Sequence, residues 1–321
     1  MKQHSGRAGR AGGAAAGAAA LLLGVGLAAT PASALTIQVS QSVASLAGPE
    51  SSAGGGTLLA LARAAATVWE AALDDGGAGT VVNIEVGWAD ISGLGRTTTA
   101  SSPPAGPGMI GQANARTVEL ATSVSGGWHL DPTPFDMSGE YAAVATTTTA
   151  GDGAGGSIEA SRRHGGATGD AAGRFDAFTV LIHEIAHAIG FGDYGDSPFD
   201  AGVVEILQPG TGAVFEAPLV VEGGGHVQAL RGDGLPDLNS PYFHSLLGPV
   251  QYAGRRVLPS QADVLVVAEI VGYQLGVSGT GVGAQLSAGS FGATAVPVPA
   301  AGGLLAAGLA ALVAAGRRRR A

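Results

Sequence analysis

Hydrophobic periodicity along the chain predicts strands before and after an early helix. Residues 35–40, 80–91 and 116–124 alternate apolar and polar positions, as half-buried strands do. In residues 57–73 the apolar side chains recur on one helical face, and Thr57 is placed to cap that helix. The first half of the chain therefore predicts a sheet with one helix packed against it.

Two later segments predict further helices. Residues 175–191 are apolar nearly all round, which is typical of a buried helix. Residues 260–273 carry a capping box at Ser260 and Asp263 and a stop signal at Gly272. The order of elements predicts one α+β domain, with the central helix under or behind a sheet.

The segments between these elements are rich in glycine, serine, threonine and proline, and we expect loops there. The clearest are residues 95–108, 146–156 and 162–173. Residues 276–295 have the composition of a flexible linker. The folded domain is expected to span residues 35–275.

The two ends have the composition of export and sorting signals. Residues 1–34 combine a basic start, an apolar middle and a small-residue cleavage site, and they predict a signal peptide. Residues 296–321 contain a proline motif, an apolar run of membrane-helix character at 300–316 and four arginines at 317–320. The body is therefore expected outside the cytoplasmic membrane.

Charge and cysteine content narrow the classes of function. Seven of the 16 basic residues lie in the two ends, so the body has nine basic against 25 acidic residues. Such a domain repels nucleic acid and anionic membrane surfaces. The chain has no cysteine, which excludes disulfides, thiol catalysis and cysteine-based metal sites. Nothing in the sequence indicates an oligomeric state.

The segment HEIAHAIGFGD, residues 183–193, predicts a metal site on the central helix. His183 and His187 are four residues apart and point the same way, so both imidazoles can bind one ion, for which zinc is the best match. Glu184 lies one step round the helix, where it can take a proton from a water molecule. Gly190 allows the chain to turn back, and Asp193 can then supply the third ligand.

Other third ligands remain open. Glu205 follows His187 by eighteen residues and matches the pattern in which a later glutamate completes the site, although Gly190 argues against that pattern. His226 and His244 are alternatives as well, but a loop position without a metal role is favoured for each.

The eleven-residue segment resembles the HExxHxxGxxH/D signature of metzincin metallopeptidases, in the aspartate-ending, snapalysin-like variant. The resemblance implies His183, His187 and Asp193 as zinc ligands and Glu184 as the general base. It also implies a metzincin-like α+β catalytic domain: a twisted sheet, an active-site helix, a strand edging the substrate cleft and a C-terminal helix.

One feature departs from that family. Metzincins place a methionine in a tight turn beneath the zinc, and no methionine follows the motif in this chain. The segment SPYFHSLLGP, residues 240–249, is the best candidate for the turn, with Leu246 or Leu247 filling the space of the methionine.

The C-terminal segment resembles the PEP-CTERM group of sorting tails, in the VPxPA variant. This resemblance implies a membrane-bound processing enzyme as a partner and a surface or extracellular location. A plain C-terminal membrane anchor is the alternative.

The expected function is that of an exported zinc endopeptidase acting on protein or peptide substrates. Tyr194, Tyr242 and Tyr252 are candidates for stabilising the tetrahedral intermediate, although packing is the favoured role of each. Two rival functions remain: a non-catalytic surface or matrix protein on a degenerate protease scaffold, and a zinc hydrolase of non-peptide substrates.

Overall fold

The computed structural model describes residues 35–99, 116–151, 156–192, 201–221, 225–276 and 279–288. The predicted signal peptide, the predicted sorting tail, Asp193 and Tyr194 lie outside these residues. Within the described ranges, no helix is long and apolar enough to cross a membrane.

The described residues form helices and several small sheets, which makes the fold α+β, as the sequence predicts. The helices are α1 Leu58–Ala72, α2 Ala177–Ala188, α3 Gln261–Val271 and α4 Val282–Ser287. The strands are β1 Thr36–Gln41, β2 Ser52–Ala53, β3 Leu73–Asp74, β4 Val81–Ala89, β5 Gly95–Thr99, β6 Arg116–Ala121, β7 Trp128–His129, β8 Tyr141–Ala150, β9 Ser157–Ala167, β10 Phe175–Asp176, β11 Val203–Leu207, β12 Val214–Val220, β13 His226–Val227, β14 Arg256–Leu258 and β15 Gln274–Leu275.

The largest sheet has four strands in the order β1-β4-β6-β5. The first three are parallel, and β5 runs antiparallel to β6 at one edge. On β4 the side chains of Val82, Ile84 and Val86 are buried, as period-two alternation requires. Helix α1 packs against β1, and Thr57 caps it by accepting a hydrogen bond from the Ala60 amide at 3.3 Å. The predicted early strands and helix are confirmed.

Three segments expected to be loops contain strands. Strand β5 lies inside residues 95–108, while β8 and β9 extend into the other two predicted loops and pair as an antiparallel hairpin. The expectation was wrong because these strands lack an apolar alternation. Most of β8 is exposed, so pairing with β9 and β-branched threonines stabilise the strand without a buried face.

Helix α2 is buried along its whole length, and contacts from other elements fix its position. All 12 of its residues are buried. The indole Nε1 of Trp69 in α1 donates a hydrogen bond to the Ile182 carbonyl at 2.9 Å. The helix ends at Ala188, and Gly190 has a φ of +119°, a conformation that requires glycine. The predicted reversal at Gly190 is confirmed.

A buried ion cluster holds the N-terminus of α2. Asp176 caps the helix by accepting a hydrogen bond from the Thr179 amide at 3.0 Å. Both Asp176 oxygens also accept from the Arg256 guanidinium, at 2.7 and 2.9 Å. Arg256 is fully buried, and it pairs with Asp131 at 2.9 Å. Strand β14 is therefore tied to the start of the site helix.

Asp131 has two roles, one in a local turn and one in the buried ion cluster. The turn exists, since the Asp131 carboxylate accepts from the Thr133 amide at 2.7 Å. Its second oxygen, however, serves the buried cluster, because Arg256 comes from a strand 125 residues away. Spacing along the sequence contains no signal for a pair at that separation.

The C-terminal part of the body packs against the domain. Helix α3 has the predicted capping box between Ser260 and Asp263, and Gly272 ends it with a φ of +79°. Helix α4 falls within the segment predicted to be a linker, yet Leu286 is buried. A Cβ atom on Gly283 would lie 1.9 Å from the Pro259 carbonyl oxygen, so α4 packs directly on the chain before α3.

The ion cluster predicts a large stability loss for Asp176→Asn. The variant keeps a capping side chain but leaves Arg256 undercompensated, and we expect unfolding free energy to fall by roughly 3 kcal/mol or more. The exposed Arg96–Glu119 pair gives a matched control, since Glu119→Gln should cost less than about 1 kcal/mol. Urea unfolding followed by tryptophan fluorescence measures both, and equal losses would contradict the assignment.

The stability loss caused by Asp176→Asn should depend on pH. Burial alone would raise the pKa of Asp176, but the Arg256 charge and the hydrogen bonds outweigh it and hold the pKa well below its usual range. The stabilisation is therefore complete above the unfolded pKa of about 4 and declines as pH falls below it. The difference between parent and Asp176→Asn should narrow in that acidic range, and a constant difference would contradict the account.

Candidate metal centre

The two histidines of α2 face each other through their Nε2 atoms. His183 Nδ1 lies 2.7 Å from the Leu246 carbonyl oxygen, and His187 Nδ1 lies 2.6 Å from the Phe191 carbonyl oxygen. A carbonyl oxygen only accepts hydrogen bonds, so each Nδ1 carries the hydrogen. Each neutral ring therefore presents an Nε2 lone pair, and the two Nε2 atoms are 3.2 Å apart.

Burial keeps these rings neutral. It lowers the pKa of His183, although the hydrogen bond to Leu246 opposes the shift. Burial lowers the pKa of His187 further, and the neighbouring His183 and His226 add to that effect. Two neutral imidazoles with facing lone pairs repel each other unless a cation lies between them. This is the arrangement that metal-ligating histidines adopt, with the second nitrogen donating to a carbonyl.

His226 completes a buried group of three histidines. It begins β13, which pairs with β12 so that His226 lies opposite Val220. Its ring stacks on His183 with centroids 5.3 Å apart, and it meets His187 edge-on at the same distance. The ligand nitrogens of all three lie within 4.8 Å of one another, and this group could hold a metal ion.

From the sequence, a loop position without a metal role is favoured for His226, whereas the structure places it on β13 within the buried group of three histidines. The only sequence signal is its place after three glycines, GGGH, a composition that allows the chain to turn toward a buried site. Asp193, the predicted third ligand, lies outside the described residues and stays a prediction. Glu205 lies on β11 with its side chain exposed, and it is not part of the buried group.

The segment predicted to lie beneath the site does contact it. Leu246 and Leu247 are fully buried, and the Leu246 carbonyl is the one that His183 meets. The next carbonyl along, that of Leu247, accepts a hydrogen bond from the Val227 amide at 2.9 Å. The turn thus supports His183 directly and His226 through the neighbouring backbone.

Asp263 at the start of α3 holds this turn in place. Its carboxylate accepts from the Ser245 hydroxyl and from the amides of Leu246 and Leu247, at 3.4 and 3.3 Å. The same carboxylate closes the capping box with Ser260. One buried acid therefore connects the last helix to the carbonyl that orients a candidate ligand.

Glu184 lies beside the histidines under the edge strand β5. Both its carboxylate Oε2 and its main-chain carbonyl lie 2.8 Å from the Thr97 hydroxyl. A Cβ atom on Gly95 would lie 2.6 Å from Glu184 Oε1, so glycine is needed there for the side chain to fit. Burial raises the pKa of Glu184 to about 7, and the Thr97 hydrogen bond opposes the shift. Thr97 was missed from the sequence because its segment was expected to be a loop.

Comparisons with known proteins do not identify this chain. It matches no protein-family model, no curated protein and no solved structure.

The geometry predicts that His226 contributes to metal affinity. In titrations of the metal-free protein with Zn²⁺ and Co²⁺, we expect His226→Ala to weaken binding by more than about tenfold, since loss of an indirect support already costs that much. His244→Ala is the matched control, because His244 is outside the buried group, and its affinity should equal that of the parent. Unchanged affinity in His226→Ala would place the third ligand elsewhere, with Asp193 next to be tested.

Asp263 should affect the same affinity without touching the metal. We expect Asp263→Asn to weaken metal binding by about 10- to 100-fold, because the turn that orients His183 loses a charged acceptor. Circular dichroism of the metal-free variant checks that it folds. A folded variant that binds metal as tightly as the parent would show that the turn does not depend on Asp263.

Proposed function

We propose that this protein is an exported, zinc-dependent endopeptidase in which His183, His187 and a third ligand hold the metal and Glu184 acts as the general base. The observation that carries the proposal is the pair of buried, neutral imidazoles with facing Nε2 atoms beside a carboxylate. We assign the third position to His226 or Asp193. A metzincin-like active site is part of the same proposal.

The donor set fits zinc. Two nitrogens at the usual zinc distance in a tetrahedral site are separated by roughly 3.3 Å, and the two Nε2 atoms are 3.2 Å apart. The ligand nitrogens of the three histidines lie within 4.8 Å of one another, so a small inward movement of the His226 ring would complete the set. Bound zinc would polarise the scissile carbonyl and lower the pKa of a water molecule.

The chain supplies the proton transfers. With a pKa near 7, Glu184 can accept a proton from the attacking water and later donate it to the leaving amine. The Thr97 hydroxyl, at 2.8 Å from Oε2, orients the carboxylate. Burial of Glu184 excludes bulk water, which would otherwise compete for these protons.

Strand β5 favours a peptide over other substrates. It is the edge of the four-stranded sheet, and within the described residues only β6 pairs with it. An exposed strand edge can bind an extended peptide through main-chain hydrogen bonds. Because Thr97 of this strand contacts Glu184, a peptide lying along β5 would pass beside the proposed general base.

The decisive variant is Glu184→Gln, compared with parent and with Glu205→Gln as an exposed-glutamate control. We expect peptidase activity on a mixed fluorogenic peptide library to fall by at least about 100-fold in Glu184→Gln, with bound zinc retained. Glu205→Gln should keep the peptidase activity and the bound zinc of the parent. Undiminished activity in Glu184→Gln, or a folded parent that binds no zinc, would refute the proposed function.

A further inference from the structure

Two arginines lie close together near the candidate metal centre, and among the described residues neither has an acidic partner. Arg163 is on β9, and Arg255 directly precedes β14, the strand that pairs with β9. Among the described residues, neither arginine lies within 4.0 Å of a carboxylate, although four other arginines of the body do. In a body with 25 acidic residues, two neighbouring arginines that have no carboxylate within 4.0 Å in the described part of the chain are unexpected.

The positive charges of Arg163 and Arg255 repel each other, and the pKa of Arg163 reflects this repulsion. Burial lowers the pKa of Arg163, and the charge of Arg255 lowers it further. Burial and then both arginines lower the pKa of His244 to about 4, so that ring is neutral at pH 7. Each of these side chains is partly exposed, so a ligand from solvent can reach them. An anion bound here would relieve the repulsion.

Aromatic rings fix the positions of the two cations. The Arg163 guanidinium donates to His244 Nε2, and the Arg255 guanidinium lies 4.8 Å from the centre of the Tyr252 ring. The ring centroids of His244 and Tyr252 are 5.9 Å apart, and the two ring planes meet at 72°. The guanidinium groups are therefore held against rings, and donors arranged in this way suit recognition of a carboxylate.

The cluster adjoins the turn whose Leu246 carbonyl His183 contacts. His244 is two residues before Leu246, and Gln251, which precedes Tyr252, donates to the Leu246 carbonyl at 3.2 Å. Two residues span at most about 7 Å, and the Leu246 carbonyl oxygen lies 2.7 Å from His183. The main chain at His244 therefore lies within roughly 12 Å of the His183 ring, a distance that about four residues of an extended peptide span.

We propose that Arg163 and Arg255, with His244 and Tyr252 supporting them, form a subsite that binds a carboxylate of the peptide substrate two to four residues from the cleaved bond. The carboxylate is either an aspartate or glutamate side chain or the free C-terminus of a short peptide. The proposal rests on the proposed peptidase function, and it adds a preference for acidic substrates.

The test uses the full chain and fluorogenic peptides that differ at one position. One pair carries Glu or Gln two to four residues from the cleaved bond, with an amidated C-terminus. A second pair is neutral and ends in a free or an amidated carboxyl group. The variants are Arg163→Gln, Arg255→Gln and the double variant. Arg231→Gln is the control, because Arg231 is exposed and pairs with Asp233 elsewhere.

We expect the parent to cleave the Glu peptide with a kcat/KM about tenfold above that of the Gln peptide, mainly through KM. The double variant should lose this preference while cleaving the Gln peptide at the parental rate, and added salt should weaken the preference in the parent. If the free C-terminus is the ligand, the second pair shows the preference instead. A preference unchanged in the double variant, or none in the parent for either pair, would overturn the subsite.

Binding separates this proposal from the proposed function. Fluorescence anisotropy of labelled peptides on Glu184→Gln measures carboxylate recognition without turnover. If the parent cleaves none of the peptides but binding to Glu184→Gln depends on Arg163 and Arg255, the peptidase function is refuted and the carboxylate site is retained. Cleavage with no arginine dependence in either measurement would refute the subsite and retain the peptidase. Melting temperature and zinc content confirm that the arginine variants are folded.

Discussion

Two hydrogen bonds from imidazole rings to backbone carbonyls determine the geometry on which the site depends. They place the hydrogen of His183 and of His187 on Nδ1, and they turn both Nε2 lone pairs toward one point. Each carbonyl is positioned by separate means: Gly190 reverses the chain to bring in Phe191, and Asp263 holds the turn at Leu246. The imidazole arrangement is thus a product of tertiary structure rather than of the helix alone.

The helix that carries these rings is fixed along its length. Its N-terminus is held by Asp176 and Arg256, and its middle by the Trp69 indole. A site built from buried polar groups needs this rigidity, since three imidazole rings and a carboxylate at close range are costly without partners. The charged cluster at one end and the turn at the other restrict the positions that α2 can adopt.

Local patterns allowed the site helix and the break after it at Gly190 to be predicted, but not its N-cap Asp176. His183, Glu184 and His187 follow from i, i+4 spacing, and Gly190 from the need for a positive φ. The capping box of Ser260 and Asp263 is also a local pattern and was predicted. The second role of Asp263, holding the turn at Leu246 and Leu247, depends on long-range contacts and was not predicted. Long-range partners escaped prediction for one reason: His226, Thr97 and Arg256 reach their contacts from segments remote in sequence and without periodicity. Strand β8 was missed because its stability comes from pairing with β9 rather than from a buried face.

The coordination of the metal in the purified protein tests the central claim most directly. We would measure zinc content and then the X-ray absorption fine structure at the zinc edge of the full chain. The account predicts one zinc per chain, with at least two imidazole nitrogens at about 2.0–2.1 Å. A folded protein without zinc, or zinc bound without imidazole ligands, would contradict it.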